Sequence, residues 1–189
     1  MDANGSLQII ERFYAKAECE EIYQRFMLDH DWPANVYTVG RRRFELPRLQ
    51  TWHADSGIRY SYRYNLLETR AWTPLLTRIR QRVEAYLNVS FNSVLANLYR
   101  NGNDYVGWHA DDDPELGERP FIASLTFGTA RSFAFRHKKL DHQGKVLLAD
   151  GALLIMRPEF QRDWQHSLPA VPELGNGRIN LTFRKVIVP

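Results

Sequence analysis

The residues of this chain best suited to chemistry are His109 and Asp111, within Gly107-Trp108-His109-Ala110-Asp111, and a histidine far downstream, His166. His109 and Asp111 stand two apart, so on an extended segment both side chains project to the same face. One imidazole and one carboxylate on one face, completed by a second imidazole, make a two-histidine, one-carboxylate facial triad. Such a triad holds non-haem Fe(II) from one side and leaves open positions for a co-substrate and dioxygen. The His-x-Asp spacing is common by itself, because most histidines are surface or hydrogen-bonded core residues. Its weight comes from what surrounds it.

A second constellation lies near the C-terminus. In Arg178-Ile179-Asn180-Leu181-Thr182-Phe183-Arg184, alternation puts Ile179, Leu181 and Phe183 on one strand face. Arg178, Asn180, Thr182 and Arg184 take the other. That cationic face either meets solvent or lines a lumen. Two arginines turned into a lumen demand anions, because an unpaired buried charge is prohibitively costly. Their Cα atoms lie ~20 Å apart on an ideal strand. Side chains leaning toward a common centre could grip a small dicarboxylate from both ends, and the planar fork of arginine meets a carboxylate bidentately.

Arg41, Arg42, Arg43 and Arg48 are interleaved with Tyr37, Phe44, Trp52, Tyr60, Tyr62 and Tyr64. Cations neutralise phosphates while flat rings stack on exposed bases, which is the chemistry of a nucleic-acid groove. A strand-rich surface whose alternate aromatics face the core has the same composition. From Arg59 to Tyr64 the tyrosines share one face and the arginines the other, as a half-buried strand requires.

Helices and strands must position these groups. Ala17 to Leu28 has Cys19, Ile22, Tyr23, Phe26 and Met27 at helical spacing. Thr73-Pro74 opens a second helix, with Thr73 as N-cap and Asn88 at the end, striped by Leu75, Leu76, Ile79, Val83, Tyr86 and Leu87. From Phe91 onward short strands dominate: Phe91 to Tyr99, with Asn97 and Tyr99 on one face, Phe121 to Phe127, Ser132 to Phe135, and Arg178 to Val188. Asp150-Gly151, between Val146–Ala149 and Ala152–Met156, is a two-residue hairpin signal. The pattern predicts a mostly β fold with flanking helices, a sandwich or jelly-roll barrel. Residues 1–90 would hold the helices and the arginine- and aromatic-rich stretch, and 91–189 the β core, as one compact domain.

Composition agrees with a soluble globular chain: 189 residues, 44% hydrophobic and 25% charged. The lone Cys19 excludes an internal disulfide framework and a cysteine-based zinc site. No basic-then-apolar leader and no membrane-length apolar run is seen, so the expected compartment is reducing: cytoplasmic in a bacterium, nuclear in a eukaryote. The net charge of +3 permits a polyanionic partner without establishing one.

Asn97-x-Tyr99, His109-x-Asp111, His166 and Arg178-x-Asn180-Leu-Thr-Phe-Arg184 together resemble the AlkB family of Fe(II)- and 2-oxoglutarate-dependent dioxygenases, over about Pro47 to Val188. Pro47-Arg48-x-Gln50, the segment from Ile122 to Gly128 and Phe135-Arg-His-Lys138 are similar to the branch that repairs double-stranded DNA. The resemblance implies a double-stranded β-helix with a nucleotide-recognition lid. It implies that His109, Asp111 and His166 bind Fe(II), and that Arg178, helped by Tyr99, holds the distal carboxylate of 2-oxoglutarate. Asn97, Thr182 and Arg184 would lie near its metal-chelating end. With dioxygen as second co-substrate, the family oxidises N-methyl groups of bases such as 1-methyladenine and 3-methylcytosine. Formaldehyde, succinate and carbon dioxide are released. The partner implied is alkylated DNA, or RNA, met by a monomer with no membrane.

The resemblance further implies that Tyr60 or Tyr62 stacks the extruded base against His109. Asp113, with Asp112 as neighbour, would accept a hydrogen bond from the exocyclic amine. Arg48, Arg136, Lys138 and Lys139 are the implied phosphate contacts. One element departs from the pattern: family members that invade duplexes carry an apolar or aromatic wedge shortly before Pro-Arg-x-Gln, where the best match here is the small Val39, or Tyr37 in a slipped register. Single-stranded DNA or RNA therefore stays open as substrate.

Overall fold

The computed structural model describes residues 5–34, 36–39, 41–58 and 67–187, without the side chains of 37–39. Strand β1 (Leu7–Ile10) and helix α1 (Lys16–Asp29) come first, then the hairpin of β2 (Val36–Val39) and β3 (Arg42–Glu45). Strands β4 (Leu49–Ala54) and β5 (Thr69–Arg70) lead to helix α2 (Pro74–Leu87). The remainder is β6 (Ser93–Tyr99), β7 (Val106–His109), β8 (Ile122–Gly128), β9 (Arg131–His137), β10 (Gln143–Leu148), β11 (Leu153–Met156), helix α3 (Pro158–Asp163), β12 (Trp164–Leu168) and β13 (Arg178–Arg184). They form a seven-stranded sheet, β1-β11-β8-β13-β6-β4-β5, a four-stranded sheet, β10-β9-β12-β7, and the separate hairpin. Strands from before residue 91 thus share a sheet with strands from after it.

The alternation of β13 sets the layering. Ile179, Leu181 and Phe183 are buried against Cys19, Ile22 and Phe26 of α1 and Leu76, Ile79 and Val83 of α2. The opposite face of the same sheet looks toward the four-stranded sheet, across Trp52, Leu95, Met156, Phe133, Phe135 and Trp164. Burying each such large side chain stabilises by roughly 1.5–3 kcal/mol. Thr73 caps α2 by accepting from the Leu76 amide at 3.2 Å, and Asn88 ends it in the left-handed region at φ 53°. Two residues expected in the helical stripes lie outside the core: Met27 is 43% and Tyr86 55% exposed.

The Asp150-Gly151 signal is corrected by the topology. β10 pairs with β9 in the smaller sheet and β11 with β8 and β1 in the larger, so this turn is a crossing between sheets, not a hairpin. Asp150 Oδ1 accepts from the Gly128 amide at 2.9 Å, which stitches this crossing to the one between β8 and β9. Gly151 has φ 76°, and a Cβ there would stand 2.7 Å from both Cys19 Sγ and the Tyr14 carbonyl oxygen. The last strand ends at Arg184, short of the expected Val188, which lies outside the described residues, as does the strand expected over residues 59–64.

Under α1, Thr51 Oγ1 on β4 lies 2.8 Å from His30 Nε2 and 3.3 Å from His53 Nε2, while His53 Nδ1 meets the Ala71 carbonyl at 2.7 Å. Burial, then the neighbouring His53 and Arg70, pushes His30 down to about 4, and burial likewise lowers His53. The unfolded chain takes up these protons first, near the ordinary value of about 6.5. Stability is therefore full above that value and lost as pH falls from there toward about 4. Thermal unfolding should occur at lower temperature at about pH 5 than at about pH 7.5, and a His30→Gln, His53→Gln double variant should show a flatter dependence. An unchanged pH profile in that variant would count against the pair.

Candidate metal centre and its pocket

His109 ends β7 and His166 is central in β12, and the two pair directly across the strands with ring centroids 4.2 Å apart. The register shifts between His166 and Leu168, where β7 spends three steps, Val106 to His109, against two. This bulge lets Val106 and His109 both line the pocket, an adjustment typical beside active sites. Asp111 lies beyond the strand end. Two contacts bring it in: its amide donates to Gln161 Oε1 at 2.8 Å, and its Oδ1 accepts from Arg184 Nη2 at 2.5 Å.

One ligand atom from each of His109, Asp111 and His166 lies within 4.8 Å of the others. His109 Nδ1 meets the Gly107 carbonyl at 2.8 Å; with the proton there, Nε2 offers its lone pair to the cavity. Burial, then the neighbouring His109, pushes His166 down to about 3, and burial also lowers His109. For Asp111 burial acts upward, but Arg184 and the two histidines outweigh it and hold the carboxyl below its ordinary value. Two neutral imidazoles and one carboxylate are the protonation states a divalent metal requires, and they fit Fe(II).

Asn97, Tyr99, Arg178, Thr182, Arg184 and Arg48 line the same pocket as the three ligands. Their convergence follows from register: Arg178 pairs with Tyr99, Asn180 with Asn97 on one side and Thr126 on the other, and Thr182 with Ser124. Arg178 is 2% exposed, lies with Cζ 5.3 Å from the Tyr99 ring centroid, and donates from Nη2 to Thr126 Oγ1 at 2.8 Å. Among the described residues no carboxylate pairs with it and its Nε has no partner. Burial pushes it down to about 10. A buried guanidinium in that condition is built to receive an anion.

Four expectations change here. Arg184 is committed to Asp111, so the two arginines of β13 do not grip one dicarboxylate from both ends; Arg178 alone is available at the deep end. Arg48, expected as a phosphate contact, is 7% exposed in the pocket wall, with Nε donating to Asn97 Oδ1 at 3.2 Å and Nη1 to the Tyr105 carbonyl at 3.2 Å. Lys138 donates to Asp112 at 3.0 Å and the Gln161 carbonyl at 2.7 Å, bracing the ligand loop. Asp113 is buried at the start of the turn Pro114–Leu116 and is not among the pocket-lining residues. Tyr60 and Tyr62 lie outside the described residues.

Sequence patterns passed over two groups that matter. Gln161 fixes the Asp111 backbone from α3. Arg131, 2% exposed, donates to the carbonyls of Asn101, Asp104 and Pro169, tying the loop before β7 to the segment after β12. Alternation in β9 places Arg131 with the inward Phe133 and Phe135, a signal that was available.

A pocket between two sheets, lined by this triad and by an anion-seeking arginine, fits an enzyme that holds a divalent metal and takes an anionic co-substrate. The chain matches the family described as "2OG-Fe(II) oxygenase superfamily" over residues 6–184, and it belongs to that superfamily. Within it the chain is AlkB-like. It is 37% identical over 188 residues to the Bos taurus "DNA oxidative demethylase ALKBH2", across 92% of this chain and 66% of that protein. It is 36% identical over 178 residues to the Bos taurus "Alpha-ketoglutarate-dependent dioxygenase alkB homolog 3", across 89% of this chain and 62% of that protein. About a third or more of each relative's length lies outside the match. The solved structure "The structure of OsALKBH1" superposes with TM-score 0.68 at 18% identity, covering 98% of this chain and 100% of that one, a likeness of fold. No helix among the described residues is long and apolar enough to cross a membrane.

Proposed function

We propose that this chain is an oxidative demethylase of N-alkylated bases in DNA, 1-methyladenine and 3-methylcytosine foremost. The observation that carries the reading is likeness along 92% of the chain to a DNA oxidative demethylase. In this reading the two sheets are the walls of a double-stranded β-helix, and the β2–β3 hairpin with the stretch around Tyr60 and Tyr62 is its lid. The molecule acts as a monomer.

His109, Asp111 and His166 would hold Fe(II), with Arg184 orienting Asp111. Arg178, backed by Thr126 and Tyr99, would take the distal carboxylate of 2-oxoglutarate, and Asn97 and Thr182 would flank the end nearer the metal. When bound, iron and 2-oxoglutarate supply the oxidising power, drawn from dioxygen, that hydroxylates a methyl C–H bond. The resulting hemiaminal breaks its N–C bond, giving formaldehyde and the bare base, while 2-oxoglutarate leaves as succinate and carbon dioxide. The chain's part is to hold the base and keep water out. A base in a duplex must be extruded to reach the pocket. Tyr60 or Tyr62 would stack it against His109.

The rival is an oxygenase of the same superfamily acting on RNA, protein or a small molecule. The test is 2-oxoglutarate consumption with DNA oligonucleotides that do or do not carry 1-methyladenine, with methylated RNA, and with peptide. Stimulation by methylated DNA, with formaldehyde released in step, is expected. Stimulation by peptide alone would replace the reading with its rival.

A further inference from the structure

Gln165, Arg136 and Gln143, on the outward face of the four-stranded sheet, take no part in lining the pocket, yet beside them an exposed tryptophan stands at the pocket's rim. Trp108 stands on the edge strand β7 between Val106 and His109, which line the pocket, and is itself 40% exposed. The bulge that turns its two neighbours inward leaves Trp108 on the outside. Arg136 of β9 lies over its ring, with Cζ 4.5 Å from the centroid. That guanidinium is steadied by Nε and Nη2 donating to Gln165 Oε1 at 3.0 and 2.8 Å.

The surroundings favour an anion. Gln165, Arg136 and Gln143 pair across β12, β9 and β10, so they share one row, and Lys145 shares their face two residues on. The other outward positions of β9 and β10 are Ser132, Ala134 and Leu147, so these strands present two cations and no carboxylate there. Among the described residues no helix covers this face, since α1 and α2 pack on the other sheet. A flat ring beside a pocket mouth, with cations around it, suits a polymer of alternating π-faces and phosphates. Only an unpaired base has a face free to stack on it.

We propose that Trp108, with Arg136 and Lys145, is a stacking platform for an unpaired base flanking the target in single-stranded DNA. The proposal rests on the nucleic-acid reading above and adds a strand preference to it. The test is binding of unmethylated oligonucleotides of about ten nucleotides by fluorescence anisotropy, as single-stranded DNA, duplex DNA and single-stranded RNA. The wild-type chain should hold single-stranded DNA more tightly than duplex. Trp108→Ala should lose about tenfold or more on the single strand and little on the duplex. Arg136→Gln, which keeps the ring and guards against a folding defect in the first variant, should shallow the logarithmic salt dependence by about one.

Wild-type affinity in both variants would overturn the platform, as would equal losses on duplex and single strand, or tighter binding of RNA than of DNA. If the wild-type chain bound no oligonucleotide, the nucleic-acid reading itself would fall. The two failures are therefore distinguishable.

Discussion

Replacing His166 by alanine should abolish 2-oxoglutarate turnover and metal retention while leaving the fold intact. The side chain is 4% exposed and stacks on Phe133 at 5.1 Å, so the cost in stability is that of one trimmed core ring. The loss of function should exceed the roughly 10- to 100-fold typical of removing a ligand's outer partner. His109→Ala should behave alike. Asp111→Ala should cost more stability, roughly 3–5 kcal/mol, because it removes the carboxylate facing the buried Arg184. Iron content, turnover and thermal unfolding measured on the three variants separate these effects. Near-wild-type turnover in any one would remove that residue from the metal set.

Arg178→Ala should raise the 2-oxoglutarate requirement about 10- to 150-fold, since a hydrogen bond to a charged group is worth ~1.5–3 kcal/mol. Arg178→Lys should recover only part of this, because an ammonium lacks the planar fork that meets a carboxylate with two N–H groups. Oligonucleotide affinity should move little in either variant, because Arg178 lies deep in the pocket at 2% exposure. A KM for 2-oxoglutarate that stayed put would mean that the buried guanidinium serves structure alone.

Local chemistry made the most regular elements legible. The apolar and polar faces of β13 could be separated by eye because one face packs on helices and the other on the pocket, and both are buried. Helix α2 announced its ends through Thr73, Pro74 and Asn88. Strand β12, which carries His166, did not announce itself. Its residues Trp164-Gln165-His166-Ser167-Leu168 show little apolar alternation, and its place comes from pairing with β7 and β9.

Turn chemistry has the same limit. Asp150-Gly151 specifies a tight reversal, but which sheet receives the next strand is decided by distant partners such as Gly128 and Thr126. The bulge that aims His109, and the pairing of Arg184 with an aspartate 73 positions away, likewise exist only in three dimensions. Arg48 shows the converse: a basic cluster suggested a surface, and the fold put its last member in the pocket wall.

The most direct test of the demethylase reading is to load the protein with Fe(II) and 2-oxoglutarate without oxygen, add an oligonucleotide carrying one 1-methyladenine, admit air and weigh the product. The reading predicts an oligonucleotide lighter by the mass of one methylene group, with one formaldehyde and one succinate formed for each methyl removed. An oligonucleotide of unchanged mass beside steady succinate formation would contradict it.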